Sequence, residues 1–201
     1  MSNIEGPLWT EFVLQKGGQD PLAMDRRAAN RMSLELFWGM TVNTQVARYY
    51  AFYPWVIEQS RAQDRGALLD DIIRAEKAYA IASLLAHNGE RCASGLVGAD
   101  LIDDFGIAER DSYTLPAIKW FARDASGFVQ LYRGPLFRLD LLKDAGGMIS
   151  ATARGRRLAQ AFGQNVAETA YAARYFGKDV VPTPVLAAYG HQACPCALLQ
   201  S

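Results

Sequence analysis

The sequence predicts a mainly α-helical protein with one small β-hairpin. Apolar residues recur at helical spacing through the first half of the 201-residue chain. Gly146-Gly147 can adopt the positive φ angles of a tight hairpin turn, and Thr152 can cap a long helix that follows it. Half of the residues are hydrophobic, which is enough for one core or for two small cores that share an interface.

Three helices are predicted in the first half. Asp20-Pro21 supplies a cap and a proline for the start of the first helix. Thr44 can cap the second helix, and Pro54 should kink it because proline has no N–H to donate. The third helix runs over about 66–87, and Asn88-Gly89 supplies a left-handed stop.

The second half is predicted to contain shorter elements. Glycines interrupt the apolar pattern over residues 89–113, which we interpret as a connector. A helix is expected near 116–123, and a strand at Met148–Ala151 completes the hairpin. A long helix is then expected from Thr152 to near Gly177, and Thr183-Pro184 should start a last short helix.

Charge and cysteine content limit the possible functions. The chain has 21 basic and 21 acidic side chains, so no global field attracts it to nucleic acid or to an anionic membrane. Residues 123–157 nevertheless hold seven basic and three acidic side chains.

The start resembles no secretory signal and no apolar run could span a bilayer, so a cytoplasmic protein without membrane contact is expected. Three cysteines, an odd number, argue against a disulfide framework.

The segment MISATARGRRLAQAF, residues 148–162, resembles the passage from wing to helix in many bacterial winged-helix regulators. In those proteins a strand ends in threonine and runs into arginine, glycine and small residues. The predicted order of helix, helix, hairpin and helix is similar to the latter half of a winged-helix module. The resemblance implies three regions: a helical bundle at 1–88, the connector at 89–113, and a winged-helix-like region with C-terminal helices at 114–201.

The same resemblance implies a set of nucleic-acid-binding residues. Arg133, Arg138 and Lys143 would lie on or beside the recognition helix. Arg154, Arg156 and Arg157 would lie beside the wing, where guanidinium groups would contact phosphates. Six phosphate contacts would give a slope of roughly five in log K against log salt. Gly134-Pro135 argues against this, because proline inside a helix costs about 3 kcal/mol unless the helix starts there. A solvated scaffold or a protein-binding surface remains the alternative.

A second resemblance concerns residues 20–55. The segments DPLAMDRRAANRM and TVNTQVARYYAFYPWVI are similar to the N-terminal part of larger bacterial proteins of unknown function that are associated with restriction and phage-defence gene clusters. This resemblance implies a role in a bacterial defence or regulatory assembly. It carries no catalytic residue onto this sequence.

Two further clusters have both a functional and a structural interpretation. Seven aromatic residues between Phe37 and Trp55 could stack on unpaired bases, but we predict that they pack in the core. His191, Cys194 and Cys196, with the distant Cys92, could present ligands to zinc. Structural zinc sites usually use two pairs of cysteines spaced two to four residues apart, so buried free thiols are predicted, with no metal and no cofactor.

The sequence lacks the common catalytic motifs. No lysine has an acidic residue two positions before it, and there is no phosphate-binding loop, G-x-S-x-G elbow or H-E-x-x-H helix. Our leading hypothesis is a non-enzymatic nucleic-acid-binding component of a bacterial defence or regulatory assembly. The alternative is a structural or assembly subunit that binds a protein partner or itself without nucleic-acid contact. An enzyme whose site is completed by another chain is the third possibility.

Overall fold

The computed structural model describes residues 44, 46–62, 68–90, 96–103, 110–121 and 126–199, with a few isolated positions between 28 and 35. The chain divides into two compact units, Met1–Phe37 and Trp38–Ser201, and the elements below belong to the second. Most of the helix predicted after Asp20-Pro21 lies outside the described residues, and the described positions within it, 28, 31, 32 and 35, are helical. No helix in the described part of the chain combines the length and the apolar character that crossing a membrane requires.

The prediction of a mainly helical protein with a small hairpin is confirmed. Among the described residues from 44 onward, the α-helices are α1 (Tyr49–Ala62), α2 (Leu68–Leu85), α3 (Ala99–Asp103), α4 (Arg133–Arg138), α5 (Ala153–Val166) and α6 (Thr183–Ala193). The strands are β1 (Ser112–Thr114), β2 (Leu142–Ala145), β3 (Met148–Ala151) and β4 (Val180–Pro182). Short 3-10 helices span Leu115–Ala117 and Pro195–Leu199, and π-helical turns span Phe128–Tyr132 and Tyr171–Tyr175.

One hydrophobic core lies between α1, α2, α5 and α6. Helices from both sides of residues 89–113 therefore contribute to the same core. Aromatic rings fill much of it, and Tyr49 stacks on Tyr53 with ring centroids 5.5 Å apart. Core packing is confirmed for the described members of the aromatic cluster, all of them buried: Tyr49, Tyr50, Phe52, Tyr53 and Trp55. Phe37 and Trp38 lie outside the described residues.

The start of α1 differs from the prediction. The helix begins at Tyr49, with Pro54 inside it, and the N–H of Phe52 donates to the carbonyl of Arg48 at 2.9 Å. Thr44 is therefore not its cap; its carbonyl instead accepts a hydrogen bond from the Tyr50 hydroxyl. The predicted stop after α2 is confirmed, because Asn88 and Gly89 have positive φ angles and the Gly89 N–H donates to the carbonyl of Leu84, in the last helical turn.

The helix predicted near 116–123 is wrong over the described residues 116–121. β1 ends just before them, the 3-10 turn Leu115–Ala117 follows, and Ile118 is extended. β1 pairs antiparallel with β4, Ser112 lying opposite Pro182. The N–H of Leu115 donates to the carbonyl of Asp179 at 2.7 Å, so the backbone bonds that would continue a helix are used between distant segments.

Pro135 lies inside a helical segment rather than at its start. The π-helical turn Phe128–Tyr132 leads directly into α4, and the N–H of Arg133 donates to the carbonyl of Phe128, five residues back. The wider π turn changes the hydrogen-bond register just before the proline, whose ring would otherwise clash with the carbonyl four residues earlier. The helical segment therefore contains Pro135 and does not have to start there.

The long helix after the hairpin is shorter than predicted. The Thr152 side chain caps α5 by accepting from the Gly155 N–H at 3.1 Å, as predicted. The helix ends at Val166 rather than near Gly177, because the Thr169 hydroxyl donates to the Val166 carbonyl at 2.6 Å and breaks the helical register. Gly177 has a φ of 73° just after the separate turn Tyr171–Tyr175.

Candidate functional site

The predicted hairpin is present and is joined rigidly to α5. β2 and β3 pair antiparallel, with Lys143 opposite Ser150, and Gly146-Gly147 forms the turn with both φ angles positive. The Gly147 N–H donates to the Asp144 carboxylate at 2.9 Å, which closes the turn. At the base of the hairpin, the N–H of Thr152 donates to the carbonyl of Leu141 at 3.0 Å. One residue, Thr152, therefore fixes the hairpin and begins the helix.

The first turn of α5 presents three arginines to solvent. Gly155 is buried there, and a Cβ atom at this position would overlap the carbonyl of Leu141. Because the Gly155 side of the turn faces the hairpin base, its neighbours Arg154, Arg156 and Arg157 lie on the exposed side. Arg156 donates to the Ala151 carbonyl at 2.9 Å, which limits its motion.

The three other predicted basic residues are also exposed: Arg133, Arg138 and Lys143. Arg154 donates to the carbonyl of Leu139 at 3.3 Å, so it lies close to the residue that follows Arg138. Arg133 lies over the ring of Phe137 at 5.8 Å from the centroid. The six cations do not line one common groove, since Arg156 and Arg157 border one groove and Arg133 borders another.

The first of these, the α1–α5 groove, has a volume of about 1100 Å³. Gly163 and Trp55 both line it and lie close together, since a Cβ atom at Gly163 would be 3.2 Å from the indole ring. Its lining is mixed. Arg156 and Arg157 stand at one end, alanines and Trp55 supply apolar surface, and four more polar side chains line the groove: Glu58, Gln59, Gln160 and Gln164. Amide and guanidinium donors in this arrangement suit a polar, anionic ligand.

The second groove, of about 500 Å³, lies between α2 and the hairpin and is mostly apolar. We call it the hairpin groove. Three large apolar side chains on its walls are unusually exposed, Leu69 by 37%, Val129 by 43% and Met148 by 68%. Arg61 and Arg133 also line it. An exposed apolar groove with basic neighbours is typical of a protein-binding surface.

The buried carboxylate of Glu76, on α2, is fully hydrogen-bonded to neighbouring chain segments. Its Oε1 accepts from the Tyr53 hydroxyl at 2.9 Å and from the N–H of Phe128 at 2.7 Å. Its Oε2 accepts from Trp120 Nε1 at 2.9 Å and from the N–H of Gly127 at 3.1 Å. Burial raises the pKa of Glu76, and the four donors oppose that increase. With both oxygens occupied, this carboxylate is a structural link rather than a catalytic base.

Three metal-ligating side chains meet where α2 and α6 end. His87 Nε2 lies 3.3 Å from Cys194 Sγ and 3.2 Å from Cys196 Sγ, and the two sulfur atoms are 3.3 Å apart. The structure thus selects His87, which the sequence did not group with the cysteines. His191 is exposed on α6, and Cys92 lies outside the described residues. No spacing rule links His87 to a pair more than 100 residues later, so only the packing of α2 on α6 identifies it.

No protein-family model, curated protein or solved structure compared with the chain matches it.

Proposed function

We propose that this protein binds nucleic acid without catalysing a reaction, as a component of a bacterial defence or regulatory assembly. The observation that carries the proposal is the first turn of α5, where three arginines are exposed beside the hairpin. The assembly role rests on the resemblance of residues 20–55. In this proposal the helical segment before the hairpin acts as a recognition helix and the hairpin as a wing.

The electrostatics of α5 support an anionic ligand. The N-terminus of a helix carries a partial positive charge, so acidic residues in the first turn usually stabilise it. α5 has none there and has arginines at 154, 156 and 157 instead. This concentration of positive charge opposes folding, and a bound phosphate would relieve it. Arginine also binds phosphate with two parallel hydrogen bonds.

The α1–α5 groove extends this surface. Arg156 and Arg157 line its entrance, and the amides of Gln160 and Gln164 follow along the same helix. Amide groups can donate to phosphate oxygens and can also pair with base edges. Glu58, on the α1 wall, would repel a phosphate backbone, so the nucleic acid should lie on the α5 side of the groove.

Binding should be measured by fluorescence anisotropy with labelled duplex and single-stranded oligonucleotides at several salt concentrations. We expect Arg156→Ala/Arg157→Ala to weaken binding several-fold and to reduce the salt slope by about two, since each phosphate contact contributes about 0.9. The matched control is Lys119→Ala/Lys178→Ala, which removes two exposed cations that line neither groove. Equal affinities for the two double variants would refute the proposal.

The hairpin groove favours a second function, the binding of a protein partner or of another copy of this chain. Three exposed apolar side chains converge there, whereas Val180, 49% exposed on β4, does not line this groove. Met148→Glu should then abolish self-association or partner capture, and Val180→Glu should not. Sedimentation velocity on the two variants measures self-association. A wild-type chain that is monomeric at high concentration and captures no partner would argue against this function.

A further inference from the structure

The cluster of His87, Cys194 and Cys196 has the composition of a metal site. The three ligand atoms all lie within 4.8 Å of one another. One imidazole nitrogen and two sulfurs are the donor set that borderline-soft ions such as Zn²⁺ prefer. Three protein ligands leave a fourth tetrahedral position for water or another donor.

The distances fit a tetrahedral ion after a small movement. With Zn–S near 2.3 Å and Zn–N near 2.0–2.1 Å, tetrahedral geometry places two sulfurs about 3.8 Å apart and a nitrogen and a sulfur about 3.6 Å apart. The three separations here are 3.2, 3.3 and 3.3 Å. Each must therefore lengthen by about half an ångström or less, which side-chain torsions can supply without moving the backbone.

The backbone that carries the cysteines is held from several sides. The buried Arg48 donates to the carbonyls of Gln192 at 2.8 Å and Ala193 at 3.2 Å, immediately before Cys194. The N–H of Cys194 donates to the Gly190 carbonyl at 2.9 Å. Pro195 restricts the backbone between the two thiols. The ligands are thus oriented before any ion binds, as in a preorganised site.

Charge also favours a cation between these residues. His87 and Cys194 follow the last residues of α2 and α6, and the carbonyl ends of helices carry partial negative charge. Two thiolates would balance the charge of a divalent ion.

His87 Nε2 lies within hydrogen-bond distance of both sulfurs, so two thiols that donate to a neutral imidazole are the alternative to a metal ion. His87 is partly exposed, yet its Nε2 lies at nearly equal distances from both sulfurs rather than facing solvent. A disulfide between Cys194 and Cys196 would leave no thiolate that could bind a metal ion together with the imidazole. Convergence of all three groups on one point is the feature that a metal ion explains.

We propose that His87, Cys194 and Cys196 bind a divalent ion of the zinc class that joins the ends of α2 and α6. The site is independent of the nucleic-acid surface and stands whether or not that proposal holds. Because its ligands come from positions 87, 194 and 196, a bound ion cross-links distant parts of the chain and stabilises the folded state.

The test uses the full chain, purified with a thiol reductant, incubated with Zn²⁺ and then dialysed. We expect about one equivalent of bound zinc. His87→Ala and Cys196→Ser should each weaken zinc affinity by at least about tenfold in competition with a chromophoric chelator. The control is His191→Ala, which removes the other histidine, three residues before Cys194, and should retain wild-type affinity. Circular dichroism confirms that each variant is folded.

A second measurement needs no variant. Co²⁺ added to the reduced wild-type chain should produce a thiolate-to-cobalt charge-transfer band that added zinc removes. The proposal is overturned if reduced wild-type protein retains less than about a tenth of an equivalent of zinc. It is also overturned if cobalt gives no such band, or if the His87 and His191 variants bind zinc equally.

Discussion

Replacement of Glu76 is the sharpest test of how the core is organised. Its carboxylate accepts hydrogen bonds from Tyr53, Trp120 and the N–H groups of Gly127 and Phe128. It therefore connects α2 with α1, with the segment after β1, and with the start of the helical segment before the hairpin. A single side chain holds three chain segments that the sequence separates by up to 75 residues.

The magnitude follows from the two oxygens. In Glu76→Gln, the amide oxygen can keep two of the four donors, while the new NH₂ group faces the other two. Hydrogen bonds to a charged acceptor contribute about 1.5–3 kcal/mol each, and part of this is offset because the buried carboxylate no longer has to be desolvated. We expect a loss of about 2–4 kcal/mol in the free energy of unfolding. Glu76→Ala leaves all four donors unpaired and should cost about 3–5 kcal/mol or more.

Urea unfolding at neutral pH, followed by tryptophan fluorescence and circular dichroism, measures these losses. Glu168→Gln is the control, because Glu168 is exposed and its replacement should change stability by less than about 0.5 kcal/mol. A Glu76→Gln protein as stable as this control would refute the assignment of Glu76 as the link between these segments.

Three further predictions concern the hairpin junction and the aromatic core. Gly155→Ala should destabilise the protein by at least about 1–3 kcal/mol, because its Cβ would overlap the Leu141 carbonyl. Gln160→Ala, at an exposed position of the same helix, should change stability by less than about 0.5 kcal/mol, and thermal melts compare the two variants. Thr152→Ala removes the cap of α5 and should cost about 0.5–2 kcal/mol in urea unfolding, while Thr152→Ser should recover most of that loss. Burial raises the pKa of core tyrosines, among them the five named below, above the ordinary value of 10, so the unfolded chain releases protons above that pH while the folded chain retains them. The five tyrosines are Tyr49, Tyr53, Tyr79, Tyr171 and Tyr189. Their contribution to the free energy of unfolding should be complete below about pH 10 and should fall above it by about 1.4 kcal/mol per pH unit for each tyrosine. Tyrosinate absorbance should therefore rise in one step together with the loss of helix, rather than gradually before it.

The elements predicted correctly from the sequence are those with strong local signals. The hairpin turn has two adjacent glycines, the cap of α5 is a threonine before a helical run, and α2 ends at Asn88-Gly89. Each signal acts within four residues, so the prediction needs no knowledge of the rest of the chain. The core assignment of the aromatic residues also follows from local periodicity, because Tyr49, Tyr53 and Val56 recur on one helical face.

The elements that the sequence did not predict depend on distant partners. β1 has three residues, which is too short for a pattern of alternation, and it exists because β4 pairs with it about 70 residues later. The break at Thr169 depends on one hydroxyl that donates to the Val166 carbonyl, in a segment whose apolar spacing continues the helical pattern. In both places tertiary contacts decide the backbone conformation that local propensity leaves open.

The choice of histidine at the thiol pair shows how packing rather than spacing determines a site. Sequence spacing favours His191, three residues before Cys194, yet that side chain lies on the exposed side of α6. Gly190 allows α6 to approach α2 closely, since a Cβ atom there would overlap the carbonyl of Ala82. That contact brings the end of α6 beside the turn after α2, where His87 lies. A bulky residue at 190 would separate the helices and remove the third ligand while leaving the C-x-C sequence intact, so a search for the motif alone would still report a complete pair of thiols.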